Sequence, residues 1–275
     1  MRRREAARIL AEACEDLLES LAWRKRERSR APLIAQLDRD VAAVFRAQGK
    51  AFLAEWEKAK PLLQEAVRAG DWGPWWLRVA TKTKAAFIKA IDKAAKAAVR
   101  IGWKDTAAQA PGVLVADPIG KREPGVVGFL RDRAAAQVTK INDTTRQRLN
   151  EIITSGVEQG LSHGAIAAQI RDEFNAFAVG KPQQHIDSRA HLVAITEIGE
   201  AYEESTLQAS QALAAAGLPQ EKSWLTVGDK RVSKGCQANE AAGWIDLAGA
   251  FPSGHGRPLR FPGCRCTLLT RRKKG

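Results

Sequence analysis

A mostly α-helical protein with a small carboxy-terminal α+β unit is the fold class this sequence predicts: long amphipathic helices followed by a short-stranded, loop-rich module. Three observations predict it. Apolar residues recur at spacings of three and four through most of the chain as far as Ala216. Glycine and proline cluster between those runs, where helices end. Beyond Glu221 the pattern changes to short stretches broken by turns. At 275 residues and 45 % hydrophobic composition, the chain is long enough for one large or two modest domains.

The first helix runs from about Glu5 to Leu21, where Ile9, Leu10, Ala13, Leu17, Leu18 and Leu21 share one face. A basic break follows at Arg24, Lys25, Arg26, Arg28 and Arg30. Pro32 then opens a second periodic run through Leu33, Leu37, Val41, Phe45, Phe52, Trp56 and Leu63, which Pro61 kinks or ends. Gly70 to Trp76 is a turn whose Trp72, Trp75 and Trp76 are read as core or interface anchors ahead of base-stacking groups. Leu77 to about Trp103 forms a third helix with two unlike faces. Leu77, Phe87, Ile88, Ile91, Ala95 and Ala98 line one, and Arg78, Lys82, Lys89, Lys93, Lys96, Arg100 and Lys104 line the other, with Asp92 the only acid between Trp75 and Lys104.

Periodicity stops from Asp105 to Gly128, where Pro111, Gly112, Pro118, Gly120, Pro124 and Gly125 gather. This divides the chain into a basic helical region 1–110, a linker 111–128 and a second domain 129–275. In that domain, helices occupy 129–217: a long one from Phe129 to Gln159, a shorter one capped by Ser162 with Ile166, Ile170 and Phe174 buried, and a last one from about Asp187 to Ala216 closed by Gly217 and Pro219. A loop with Gly180 and Pro182 precedes the last helix. The small α+β unit, 221–275, carries short strands at Ser223 to Val227 and Cys266 to Thr270.

The formal charge is +13 and is unevenly spread: residues 1–110 hold 23 Lys and Arg against 14 Asp and Glu. That field suits a polyanion, an acidic membrane surface or an acidic protein. No run of 18 apolar residues occurs, and the start at Arg2, Arg3 and Arg4 leads into an amphipathic pattern, so a soluble protein made in a cytoplasm, without a membrane partner, is expected. Four cysteines are too few for a disulfide scaffold, so reduced thiols are expected.

Cys236, Cys264 and Cys266 fall within the last forty residues, with His255 nearby. Three thiolates and one imidazole complete a tetrahedral zinc site, although Cys-x-Cys departs from the common Cys-x2-Cys knuckle. The first expectation is small thiols packed in a compact core, with no cofactor, and zinc is the alternative. Asp229 and Arg231 read as an ion pair or a capped turn, with Arg265 available to the same network. Glu197, Glu200 and Glu204 share a helix face and read as a solvated acidic stripe. The chain shows no Ser-His-Asp order, no phosphate-binding glycine loop and no His-Glu-x-x-His, so an enzyme is not expected. The seven cations of the third helix suit non-specific contact with nucleic acid, with a merely solvated face as the alternative.

Four segments in order resemble the phage minor head protein family, the phage Mu protein F-like head morphogenesis proteins. The first is Ile141 to Arg146 with Gln159 to Ser162. The second is Ala194, Ile195, Thr196, Glu197, where Ile195 replaces the usual arginine. The third is Trp224, Leu225, Thr226, then Asp229 to Val232 and Cys236. The fourth is Phe261, Pro262, Gly263, Cys264, Arg265, Cys266, with Phe261 where the family often has histidine. The resemblance covers about residues 128–270. It implies a structural virion protein inside the phage head, made in the host cytoplasm, with the portal protein, non-specifically held double-stranded DNA and scaffold or capsid protein as partners. Thr196, Glu197, Trp224, Asp229, Arg231 and Arg265 are the family-motif positions. Two rivals stand beside it: a zinc-dependent enzyme acting on nucleic acid, and a DNA-binding protein unrelated to phage.

Overall fold

The structure, a computed structural model, describes residues 2–58, 72–179, 186 and 188–273. Pro61, Leu63, Gly180 and Pro182 lie outside the described residues, as do the side chains of Ile9, Leu10, Ala13 and Leu18. The helices are α1 (Arg2–Lys58), α2 (Gly73–Ala107), α3 (Pro124–Glu158), α4 (His163–Val179), α5 (Arg189–Ala215) and α6 (Lys234–Ala241). Three strands, β1 (Gln220–Leu225), β2 (Ile245–Asp246) and β3 (Thr267–Arg272), form one antiparallel sheet in the order β2-β1-β3. The expected class, mostly helical with a small carboxy-terminal α+β unit, is what the chain adopts.

The chain packs as two compact units: Met1–Ile34, Ala97–Val126 and Ile198–Gly275 form one, and Ala35–Lys96 with Val127–Glu197 the other. The second unit is built on aromatic rings. Phe45 meets Phe87 and Phe177, Phe52 meets Trp72 and Trp76, and Trp56 meets Trp75, at centroid distances from 5.3 to 6.3 Å. Trp72 and Trp76 are therefore core residues, as expected, although the helix already begins at Gly73, inside the stretch read as a turn. The buried Gln48 amide donates to Thr83 Oγ1 at 2.9 Å and to Asn142 Oδ1 at 3.0 Å, tying three helices with one side chain.

The expected break between Leu21 and Leu33 is absent: α1 runs straight through Pro32. Proline costs a helix one backbone hydrogen bond and crowds the preceding turn. The two turns before it are anchored at a distance. Arg26 and Arg30 are buried, at 9 % and 4 % exposure, and bind groups far away in sequence. Arg26 donates to Thr267 Oγ1 at 3.0 Å and to the Leu268 carbonyl, and Arg30 donates to Glu203 Oε1 at 3.0 Å.

The remaining ends follow their local chemistry. Ser162 Oγ accepts the Ala165 N–H at 3.2 Å and caps α4. Gly217, at φ +87°, lets Leu218 N–H reach back to the Leu213 carbonyl at 3.0 Å and close α5. α3 begins one turn earlier than Phe129, with Pro124 in its first turn, where a missing N–H is harmless. Residues 108–123 lie in turns held from α2 by the Trp103 indole, which donates to the Val115 carbonyl at 2.8 Å.

Candidate functional site

Two regions carry the chemistry anticipated from sequence. In the first unit, β1 and β3 pair so that Trp224 stands opposite Leu268. Trp224 then meets Phe251 edge-on at 5.2 Å, and around them pack Leu259, Leu268 and the thiols of Cys236, Cys264 and Cys266. Cys236 sits in the first turn of α6, where the Ser233 side chain accepts its N–H, and Cys264 and Cys266 lead into β3. The three sulfurs lie within 4.8 Å of one another, with Cys236 and Cys264 at 3.9 Å, and all three thiols are free and buried.

His255 stands outside that group. Its Nδ1 is 3.0 Å from both the hydroxyl and the carbonyl of Ser253, whose hydroxyl and N–H are held in turn by Asn239. The sulfur environments differ. Hydrogen bonding from Cys266, joined by the backbone N–H groups of Arg260 and Cys266, pulls the Cys264 thiol down to about 6. Donation to Cys264, with burial, pushes the Cys266 thiol up, and burial raises Cys236.

β1 ends at Leu225, so Asp229 and Arg231 lie in the turn that follows it, and their side chains do not pair with each other. Asp229 instead caps its own turn, accepting the Arg231 N–H at 3.0 Å, and pairs with Arg265 at 2.7 Å. The Arg265 bond, ahead of the other contacts, holds the Asp229 carboxyl below the usual range. Arg231 is exposed. Thr196 and Glu197 belong to the other unit, where Thr196 Oγ1 donates to the Leu192 carbonyl at 2.7 Å and Glu197 takes Arg133 in a two-pronged pair at 2.8 and 3.1 Å.

The acidic stripe of α5 is not a solvated face. Glu197 is 3 % exposed and paired, while Glu200 and Glu204 both bind Arg257, at 2.9 and 2.7 Å. Between them, Glu203 is fully buried and accepts from Arg30, Thr267 and the Leu268 N–H. Spacing showed the shared face; nothing local showed the arginines that cover it.

The second region is the cationic face of α2. Arg78, Lys82, Lys89, Lys93, Arg100 and Lys104 are exposed and Lys96 is half-buried. Three of these are engaged: Arg78 with Glu55 at 2.6 Å, Lys96 with Asp92 at 2.7 Å and Arg100 with Asp117 at 3.3 Å. Among the described residues, Lys82, Lys89, Lys93 and Lys104 make no ion pair. Lys82, Lys89 and Lys93, seven and four positions apart on one helix face, present open charge within a single unit. Among the described residues, no helix is long and apolar enough to cross a membrane.

No curated protein and no solved structure matches the chain. A family model does, that of the phage Mu protein F like protein, over residues 147–269. The match opens inside α3, later than the resemblance at about residue 128 suggested, and takes in Thr196, Glu197, Trp224, Asp229, Cys236, Cys264 and Cys266. The segment from 147 to 269 thus belongs to the phage Mu protein F-like family of head morphogenesis proteins.

Proposed function

We propose that this protein is a structural component of the phage head interior, which docks on the portal ring and touches packaged double-stranded DNA without reading its sequence. The observation that carries this is the family match over residues 147–269. The open lysines of α2 support the DNA contact, because exposed unpaired cations on one helix face neutralise phosphates and release counterions without selecting bases. Scaffold or capsid protein is a further partner on this reading, and the protein works by binding and not by catalysis. It passes from the host cytoplasm into the virion during assembly.

Co-sedimentation of the full chain with purified portal rings, and separately with duplex DNA at low and raised salt, tests the proposal. Binding to both, with the DNA arm weakening steeply as salt rises, is the expected result. Binding to neither sinks it.

A further inference from the structure

We propose that Cys236, Cys264 and Cys266 hold one zinc ion as three thiolates, in the apolar corner formed by the first turn of α6 and the entry to β3. The site stands apart from the head-and-portal reading and does not depend on it.

Distance is the first support. A zinc–sulfur bond of about 2.3 Å puts two thiolates of a tetrahedral site about 3.8 Å apart. Cys236 and Cys264 stand 3.9 Å apart, and Cys266 lies within 4.8 Å of both. The elements that carry them are fixed independently. Ser233 caps α6 at Cys236, and Glu203 binds both Thr267 and Leu268, next to Cys266. The sulfurs converge on frameworks that the rest of the unit holds in place.

A hydrogen-bond donor is the second support. The Trp224 indole N–H is buried in the cluster that holds the three thiols and has no hydrogen-bond partner. Leaving such a donor unmet costs about 1–3 kcal/mol, and a neutral thiol is a poor acceptor. A thiolate is a good one, because the bond is charge-assisted.

Charge then sets the kind of ion: three sulfurs ionised together among Trp224, Phe251, Leu259 and Leu268 require a multivalent cation at their centre. Thiolates select soft metals, and zinc accepts three protein ligands with a fourth from solvent. His255 is held by Ser253 and stands outside the sulfur group, so the protein ligands are the three thiolates.

The test uses the full chain, expressed and purified without added metal under reducing conditions. Elemental analysis is expected to find about one zinc per chain, released by a mercurial that titrates thiols. Exchange for cobalt gives the near-ultraviolet sulfur-to-cobalt charge-transfer band of a thiolate site. Cys236→Ser, Cys264→Ser and Cys266→Ser each lose the metal, whereas Cys14→Ser keeps it. Trp224→Phe binds zinc roughly tenfold or more weakly in a chelator competition, the usual loss when an outer donor goes. If the cysteine variants do not fold, the cobalt spectrum of the unaltered chain decides alone. A folded, reduced chain that holds almost no zinc and develops no charge-transfer band with cobalt overturns the site. Portal and DNA binding measured on the same preparations are read separately, since either proposal can fail while the other stands.

Discussion

The carboxylate of Glu203 meets the guanidinium of Arg30 at 3.0 Å, with side-chain exposures of 0 % and 5 %. The same carboxylate accepts the Thr267 hydroxyl at 2.7 Å and the Leu268 N–H at 2.8 Å. Tyr202 lies under both Arg26 and Arg30, with each guanidinium carbon within 5.8 Å of its ring centre. One buried anion therefore joins α1, α5 and β3. Removing one partner of such a pair leaves the other charge uncompensated, which costs about 3–5 kcal/mol. Glu203→Ala is expected to lower the unfolding free energy by that amount, read by circular dichroism as a lower urea midpoint at unchanged slope.

Close packing of α2 on α5 predicts opposite outcomes for two glycines. A Cβ at Gly102 would lie 2.6 Å from the Tyr202 carbonyl oxygen, a backbone atom that cannot swing aside. The contact is framed by Ser205 Oγ on the Val99 carbonyl at 2.7 Å and Tyr202 OH on Asp105 at 2.8 Å. Alanine brings about 1 kcal/mol of helix preference, and overpacking costs about 1–3 kcal/mol, so Gly102→Ala should destabilise. At Gly128 of α3 nothing lies within 4 Å of the added carbon, so Gly128→Ala should stabilise by up to about 1 kcal/mol. Thermal melts of the two variants check both signs.

Asp229 gives a pH dependence. Its folded pKa is depressed, first by the Arg265 hydrogen bond. The stability it contributes is therefore fully present above the unfolded aspartate value of about 3.9 and is lost as pH falls through the folded value. The pair is partly exposed, at 26 % and 37 %, so solvent limits its worth to under about 1 kcal/mol. Asp229→Asn should be less stable than the unaltered chain at neutral pH, and the difference should close in denaturant titrations run below about pH 4.

For the cationic face, the triple variant Lys82→Ala, Lys89→Ala, Lys93→Ala should weaken duplex DNA binding for all sequences alike. Each lost phosphate contact reduces the slope of log affinity against log salt by about 0.9, so a change approaching three units is expected. All three side chains are exposed, so the helical circular dichroism should not change. Fluorescence anisotropy across a salt series reads the slope.

Much of this architecture is legible in residue spacing. Ser162, Gly217 and the buried Trp72 and Trp76 behave as their local chemistry dictates. Arg26 and Arg30 do not, because a local window shows only a charged break before a proline. Their partners lie more than 170 positions away, and such pairing leaves no mark on nearby composition. Glu200 and Glu204 were hidden for the same reason, as Arg257 reaches them from a loop. For the thiols, the motif order showed that Cys236, Cys264 and Cys266 belong together. Only the return of β3 beside α6 shows that their sulfurs converge while His255 turns to Ser253.

Arg26 and Arg30 lie upstream of residue 147, where the family match begins, while Glu203, Thr267 and Leu268 lie inside it. The span that can be aligned is therefore not a span that can be excised. A fragment cut at 147 and 269 would seal an anion into its interior with no cation to answer it, and its last strand would lose the guanidinium that grips its opening residues. Pieces of this protein made for binding or crystallisation must carry the first half of α1, by covalent linkage or as a second chain.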